Sequence, residues 1–317
     1  MYRYRFFDLP ILVDFPVPEL PSMLSEQEAT DQIRVRLKSG LERPKCWYVE
    51  WPAAAPVPEV RAGSIQGGYL LDYPRVAAYR IDDDGCSIDC ERYAGAAMSE
   101  VRRLLIDQAL PRLFAHRDNL VLHAAGVELW GSAICLMGPS GFGKSTLSAA
   151  LVGVGGTVLC DDALRVDCCA TGVSCVGAYP GMRLWPDSVA RTHISGYRQS
   201  PVSPVSSKLR CLPEVSTEAA QLVPLGGVVL LDQPVEGGPG HIELSPTTRM
   251  EAMAYLLSQC FKLDTSDSGH VSRILGKIGC VVEAKPVVRI SYPRRYELLP
   301  SVVSMIASGL LGRSATG

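Results

Sequence analysis

The stretch Gly138-Pro139-Ser140-Gly141-Phe142-Gly143-Lys144-Ser145 constrains this chain more than any other. It matches the spacing G-x-x-x-x-G-K-[ST], which works only with a strand leading into it and a helix leading out. Both flanks are present: the apolar run Ala133 to Met137 enters the loop, and Leu147, Ala150 and Leu151 follow it at helical spacing. Glycines let the backbone turn tightly enough for its N–H groups to face an anion, and the helix presents its positive end to the same charge. Residues Gly138 to Ser145, with Thr146 behind them, are therefore the candidate nucleotide-binding set. Lys144 is expected to reach the terminal phosphates and Ser145 to hold magnesium, so ATP and Mg²⁺ are the expected cofactors.

About twenty residues further on, the apolar segment Gly155 to Cys160 ends at the adjacent acids Asp161 and Asp162. A strand–helix–strand unit this short crosses over right-handed and returns parallel, so both carboxyl ends should share one edge of the sheet. The acids would then stand beside the bound phosphates. One carboxylate can complete a magnesium shell there while the other accepts a proton from an attacking hydroxyl. Nucleotide-hydrolysing motors place their magnesium-binding aspartate after a later strand, so the short gap from Ser145 to Asp161 sets this chain apart from them.

The remaining sequence bounds the partners. A chain of 317 residues that is 47% hydrophobic can bury a large core, and a net charge of −2 gives no basic footprint for nucleic acid. The opening twenty residues carry prolines and acids where an export signal needs an apolar run, and no uncharged stretch is long enough to span a bilayer as a helix, so a cytoplasmic protein is expected. Eleven cysteines occur without a single C-x-x-C, which reads as reduced thiols. From Tyr2 to about Tyr93 the pattern favours strands, with a hairpin turn at Asp82 to Gly85. A helical period then runs from Ser99 to His116, with a kink expected at Pro111. The expected organisation is a β-rich domain over residues 1–98 and an α/β domain over 99–317. In the latter, Ser195 to Ser207 reads as a long surface loop, and Ser245 as the N-cap of a helix with Pro246 in its first position.

The run from His123 through the loop to Asp161 and Asp162 resembles the catalytic domain of HPr kinase/phosphorylase, a bacterial serine kinase family whose fold is related to phosphoenolpyruvate carboxykinase. In that family a histidine precedes the first loop glycine by fifteen positions, as His123 precedes Gly138 here. The resemblance implies a P-loop kinase domain, with His123 in the active site, Asp161 as proton acceptor and Asp162 as a magnesium ligand. Over most of the chain, the opening "MYRYRFFDLPILVDFPVPEL", the segment "YPGMRLWPDSV" and the ending "VVRISYPRRY" look like the HPr kinase-related proteins of lasso-peptide biosynthetic clusters. That likeness implies a precursor peptide as partner, phosphorylated on its C-terminal serine. Arg183, Lys208, Arg210 and Arg294 are candidates to hold nucleotide phosphates or a peptide carboxylate, and Trp185 reads as a packing residue. Two other readings stay open: a kinase of an HPr-like protein or small hydroxylated metabolite, and a nucleotide-sensing module without transfer activity. The oligomeric state is open too.

Overall fold

The computed structural model describes residues 1–23, 31–52, 57–192, 194–203, 206–214, 222–233, 241–264 and 267–312. The chain forms two compact units, one of Met1–Asn119 with Phe261–Asp267, the other of Leu120–Cys260 with Ser268–Gly317.

The first unit is built on strands β1 (Tyr2–Phe6), β2 (Leu9–Val13), β3 (Ile33–Leu37), β4 (Val49–Trp51), β5 (Val60–Ile65), β6 (Gly68–Tyr73), β7 (Ala77–Asp82) and β8 (Ser87–Arg92). They form one sheet in the order β1-β2-β3-β8-β7-β6-β5-β4, parallel only at the β2/β3 and β3/β8 pairs. The hairpin expected at Asp82 to Gly85 joins β7 to β8. The helical period resolves into α1 (Met98–Leu104), a π-helical turn over Leu105–Ala109, and α2 (Leu110–His116). Pro111 accounts for the break: it has no N–H to give, and its ring crowds the carbonyl four residues back, so the backbone widens ahead of it. These helices belong with the sheet, since Tyr79 Oη donates to Val101 O at 2.6 Å and Phe114 lies against Phe6 and Phe7. The boundary expected at 98/99 therefore falls at Asn119/Leu120.

The second unit continues with β9 (Leu120–Leu122), β10 (Ala125–Leu129), β11 (Ser132–Met137), α3 (Lys144–Gly153), β12 (Thr157–Cys160), β13 (Leu164–Cys169) and β14 (Gly172–Gly177). Then come β15 (Met182–Leu184), α4 (Pro186–Thr192), β16 (Tyr197–Ser203), β17 (Ser206–Pro213), β18 (Val223–Leu231), β19 (Glu243–Pro246), α5 (Arg249–Ser258), α6 (Ser268–Ala284), β20 (Val287–Ser291) and α7 (Leu299–Leu311). The main sheet runs β12-β10-β11-β18-β14-β13-β9, with β20 also beside β18 and β19 beside β20. Alternation along β11 explains its two covers. Ile134 and Leu136 join the core under α3 and α7, while Ala133, Cys135 and Met137 join the core under α5 and α6.

The crossover from β11 through α3 returns parallel as expected, but not as a neighbour: β10 lies between β11 and β12, antiparallel to both. Strands β11, β18 and β20 are mutually parallel, so with β12 four strands point their carboxyl ends to one edge. The segment read as a long loop, Ser195 to Ser207, instead contributes β16, which pairs with β17 at the margin of a three-stranded sheet ordered β15-β17-β16. Pro201 is tolerated there because an edge strand does not need every N–H. Helix α5 starts later than expected. Thr248 is its N-cap and forms a reciprocal capping box with Glu251, while Ser245 and Pro246 stay in β19. No described helix is long and apolar enough to cross a membrane, and all eleven cysteines are free thiols.

Candidate functional site

The glycine loop leaves the carboxyl end of β11 and runs directly into α3. Gly141 and Gly143 take φ of +82° and +90°, the left-handed region that only glycine enters without strain, so the loop has glycine where the backbone requires it, at the pattern's second glycine and at one position the pattern leaves open. Lys144, buried among its neighbours, turns back over the loop and donates to Gly138 O at 2.6 Å. Burial lowers its pKa from 10.5; the charge of Asp161 raises it again and that of Lys208 lowers it.

The strand β12 delivers the two acids to the same edge. Ser145, in the first turn of α3, donates its hydroxyl to Asp161 Oδ1 at 2.8 Å, and the Arg183 amide of β15 donates to Asp161 Oδ2 at 2.9 Å. The Arg183 guanidinium pairs with Asp162 and stands 4.0 Å from Asp161. His123, between β9 and β10, places Nδ1 3.1 Å from the main-chain oxygen of Asp162. Loop, serine, both aspartates, His123 and Arg183 thus form one connected constellation. The histidine thereby touches the backbone of the acidic pair. The acids differ in depth: the Asp161 side chain is 5% exposed and that of Asp162 21%.

The other cations named from sequence flank this centre. Arg294, beyond β20, donates to Gly141 O at 2.6 Å and lies over the Phe142 ring at 4.7 Å, so it belongs to the loop. Lys208 stands over the Trp185 ring at 5.3 Å, and Arg210 is the cross-strand partner of Arg183. Trp185 does not pack in the core as expected, being 50% exposed.

Sequence reasoning passed over two features. Asp232 follows β18, the parallel neighbour of β11, and "GGVVLLD" carried the signal of an apolar strand ending in an acid. Its carboxylate is engaged by Arg289 at 2.9 Å, however, and Ser145 bonds Asp161 instead. A hydroxyl chain also supports the start of α3. Thr146 Oγ1 meets Ser188 Oγ at 3.1 Å, Ser188 meets Tyr296 Oη at 3.0 Å, and Tyr296 donates to Asp187 at 2.8 Å. No local pattern links residues so far apart in sequence.

The donor set is hard oxygen: one hydroxyl and one carboxylate. Octahedral magnesium with bonds of 2.0–2.1 Å sets adjacent ligand atoms about 2.9 Å apart, close to the observed Ser145–Asp161 separation of 2.8 Å. Among the described residues no group of three His, Cys, Asp or Glu side chains is arranged to hold a metal. The pair therefore suits an ion that takes its remaining ligands from phosphate and water.

No protein-family model matches the sequence, and no curated protein matches it. Among solved structures, the chain is similar to the HPr(Ser) kinase/phosphatase from Coxiella burnetii, with 12% identity and a TM-score of 0.30 over 61% of this chain and 97% of that one. A likeness at that level assigns no role to any residue. The fold and site described above define a mixed α/β protein with a glycine loop, a buried lysine and an acidic pair gathered at one sheet edge.

Proposed function

We propose that the chain is an ATP- and magnesium-dependent kinase that phosphorylates a serine hydroxyl on a peptide. The sequence resemblance favours the C-terminal serine of a lasso-peptide precursor. The observation that carries the reading is the 2.8 Å contact between the Ser145 hydroxyl and Asp161 at the mouth of the glycine loop. It joins the cation-binding hydroxyl of the loop pattern to a carboxylate from β12 rather than from the neighbouring β18.

In this reading the loop amides and Lys144 bind and orient the nucleotide phosphates. Ser145 and Asp161 hold magnesium, which when bound offsets the negative charge of the transferring group. The two aspartates thereby exchange the parts that the resemblance implies. Asp161 is the deeper and is already committed to Ser145 and the Arg183 amide, whereas the Asp162 side chain is the more exposed of the two. Asp162 accepts the proton, and the adjacent Arg183 aims it. His123 fixes the Asp162 backbone and is a positioning residue.

The test compares Asp161→Asn with Asp162→Asn in ATP titrations with and without magnesium and in transfer from labelled ATP to serine peptides. Asp162→Asn is expected to keep metal-dependent binding while transfer falls about 10²- to 10⁴-fold. Asp161→Asn is expected to lose the magnesium dependence of binding as well. Wild-type turnover by Asp162→Asn removes it as the base. Tight ATP binding by the unaltered protein with no transfer to any serine peptide leaves a nucleotide-sensing module.

A further inference from the structure

We propose that the polar face of the three-stranded sheet β15-β17-β16, centred on Lys208 and Trp185, is the acceptor subsite and binds a free carboxylate next to the acceptor hydroxyl. This rests on the phosphotransfer reading and adds to it the charge state of the substrate.

Register defines the face. Arg183 pairs with Arg210, which pairs in turn with Ser200, and Leu184 pairs with Leu209. Since side chains alternate across a strand, the face opposite Arg183 carries Met182, Leu184 and Cys211, and these are buried in the core with Ala149 and Val158. The Arg183 side therefore carries Arg210 and Lys208, two residues earlier on β17. Trp185 joins them just past β15, as the position of Lys208 over its ring shows. This face meets the reaction centre through Arg183, which pairs with Asp162.

Two features point to an anion with an organic body. Lys208 makes no ion pair with any described residue, its ammonium lying over the Trp185 ring instead. An ammonium without a carboxylate partner favours a negatively charged ligand. The indole beside Lys208 is half exposed, which offers a flat surface to a peptide group rather than to a bare ion. The position selects the acceptor over the nucleotide. The loop has its own cation and aromatic pair in Arg294 and Phe142, whereas Lys208 and Trp185 adjoin the strand whose arginine holds Asp162. In a terminal serine, carboxylate and hydroxyl-bearing carbon are attached to the same α-carbon, so anchoring one delivers the other.

The experiment uses the full chain and one short peptide ending in serine, made as the free acid and as the C-terminal amide. Unaltered protein is expected to phosphorylate the acid with kcat/KM roughly 10- to 100-fold above the amide, the range of a charge-assisted hydrogen bond. In Lys208→Gln that ratio should collapse toward one, and Lys208→Arg should restore most of it. Binding is read separately from the fluorescence of Trp185, taken as the difference between the unaltered protein and Trp185→Phe; the acid should change it and the amide should not. An acid-to-amide ratio near one in the unaltered protein, a ratio untouched by Lys208→Gln, or a Lys208→Gln effect confined to ATP affinity overturns the subsite. If neither peptide is phosphorylated, the kinase reading falls. The fluorescence then decides the subsite alone: acid-selective change supports it, and equal or absent responses reject it.

Discussion

At Lys144, burial, Asp161 and Lys208 act on a single proton. Burial dominates and lowers the pKa from 10.5, with Asp161 opposing it and Lys208 reinforcing it. Between the lowered value and 10.5 the unfolded chain binds the more protons, so this group's share of stability rises with pH. Anion binding follows the opposite sign, because it needs the ammonium and weakens as pH climbs through the lowered pKa. Lys208→Gln removes a repelling charge, so the alkaline limit of ATP affinity is expected to move to higher pH. Titrations across the alkaline range with both proteins check this, and a limit that stays or moves down contradicts it. Residues of this kind were legible in sequence as members of a site but not as parts of a mechanism. The loop pattern names Lys144 and Ser145, and adjacency names Asp161 and Asp162, because all four depend on short-range order. Which aspartate lies deeper is set by β15, whose amide closes over Asp161 from twenty-two residues away.

Among the elements, the position of β12 matters most to the site, because the acids follow directly from its end. Gly177, the last residue of β14, is what lets the chain pass so close. A Cβ there would lie 2.0 Å from Leu159 O and 3.0 Å from Cys160 N. Gly177→Ala is expected to cost about 1–3 kcal/mol through overpacking and to lower transfer by shifting the strand that leads to Asp161. Gly276, exposed in α6 with nothing within 4 Å of its added carbon, should respond in the opposite sense. Its change to alanine is expected to stabilise by roughly 0.5–1 kcal/mol. Chemical denaturation of the two variants checks both signs. The strands and helices were legible where their pattern is local, as in β11, α3 and β12. Pairing was not. Neither the intrusion of β10 between β11 and β12 nor the recruitment of the Pro-rich segment into β16 leaves a trace in local composition, because both are decided by distant partners.

For the molecule as a whole, the chain passes between its two units at Asn119/Leu120, Cys260/Phe261 and Asp267/Ser268. The short return segment is structural in the first unit: Phe261 and Leu263 are buried, Tyr48 Oη donates to Leu263 O at 2.8 Å, and Arg112 lies over the Phe261 ring. A fragment ending at Asn119 is therefore expected to melt at a lower temperature than the same fragment carrying residues 261–267 on a flexible linker. Equal melting temperatures would show that the segment adds nothing. The return also orders events during synthesis. At roughly 5–20 residues per second, about 7–30 s separate the emergence of Asn119 from that of Asp267. Throughout that interval the N-terminal sheet waits on the ribosome without its last piece, while most of the glycine-loop unit is made, so the part translated first is not the part completed first.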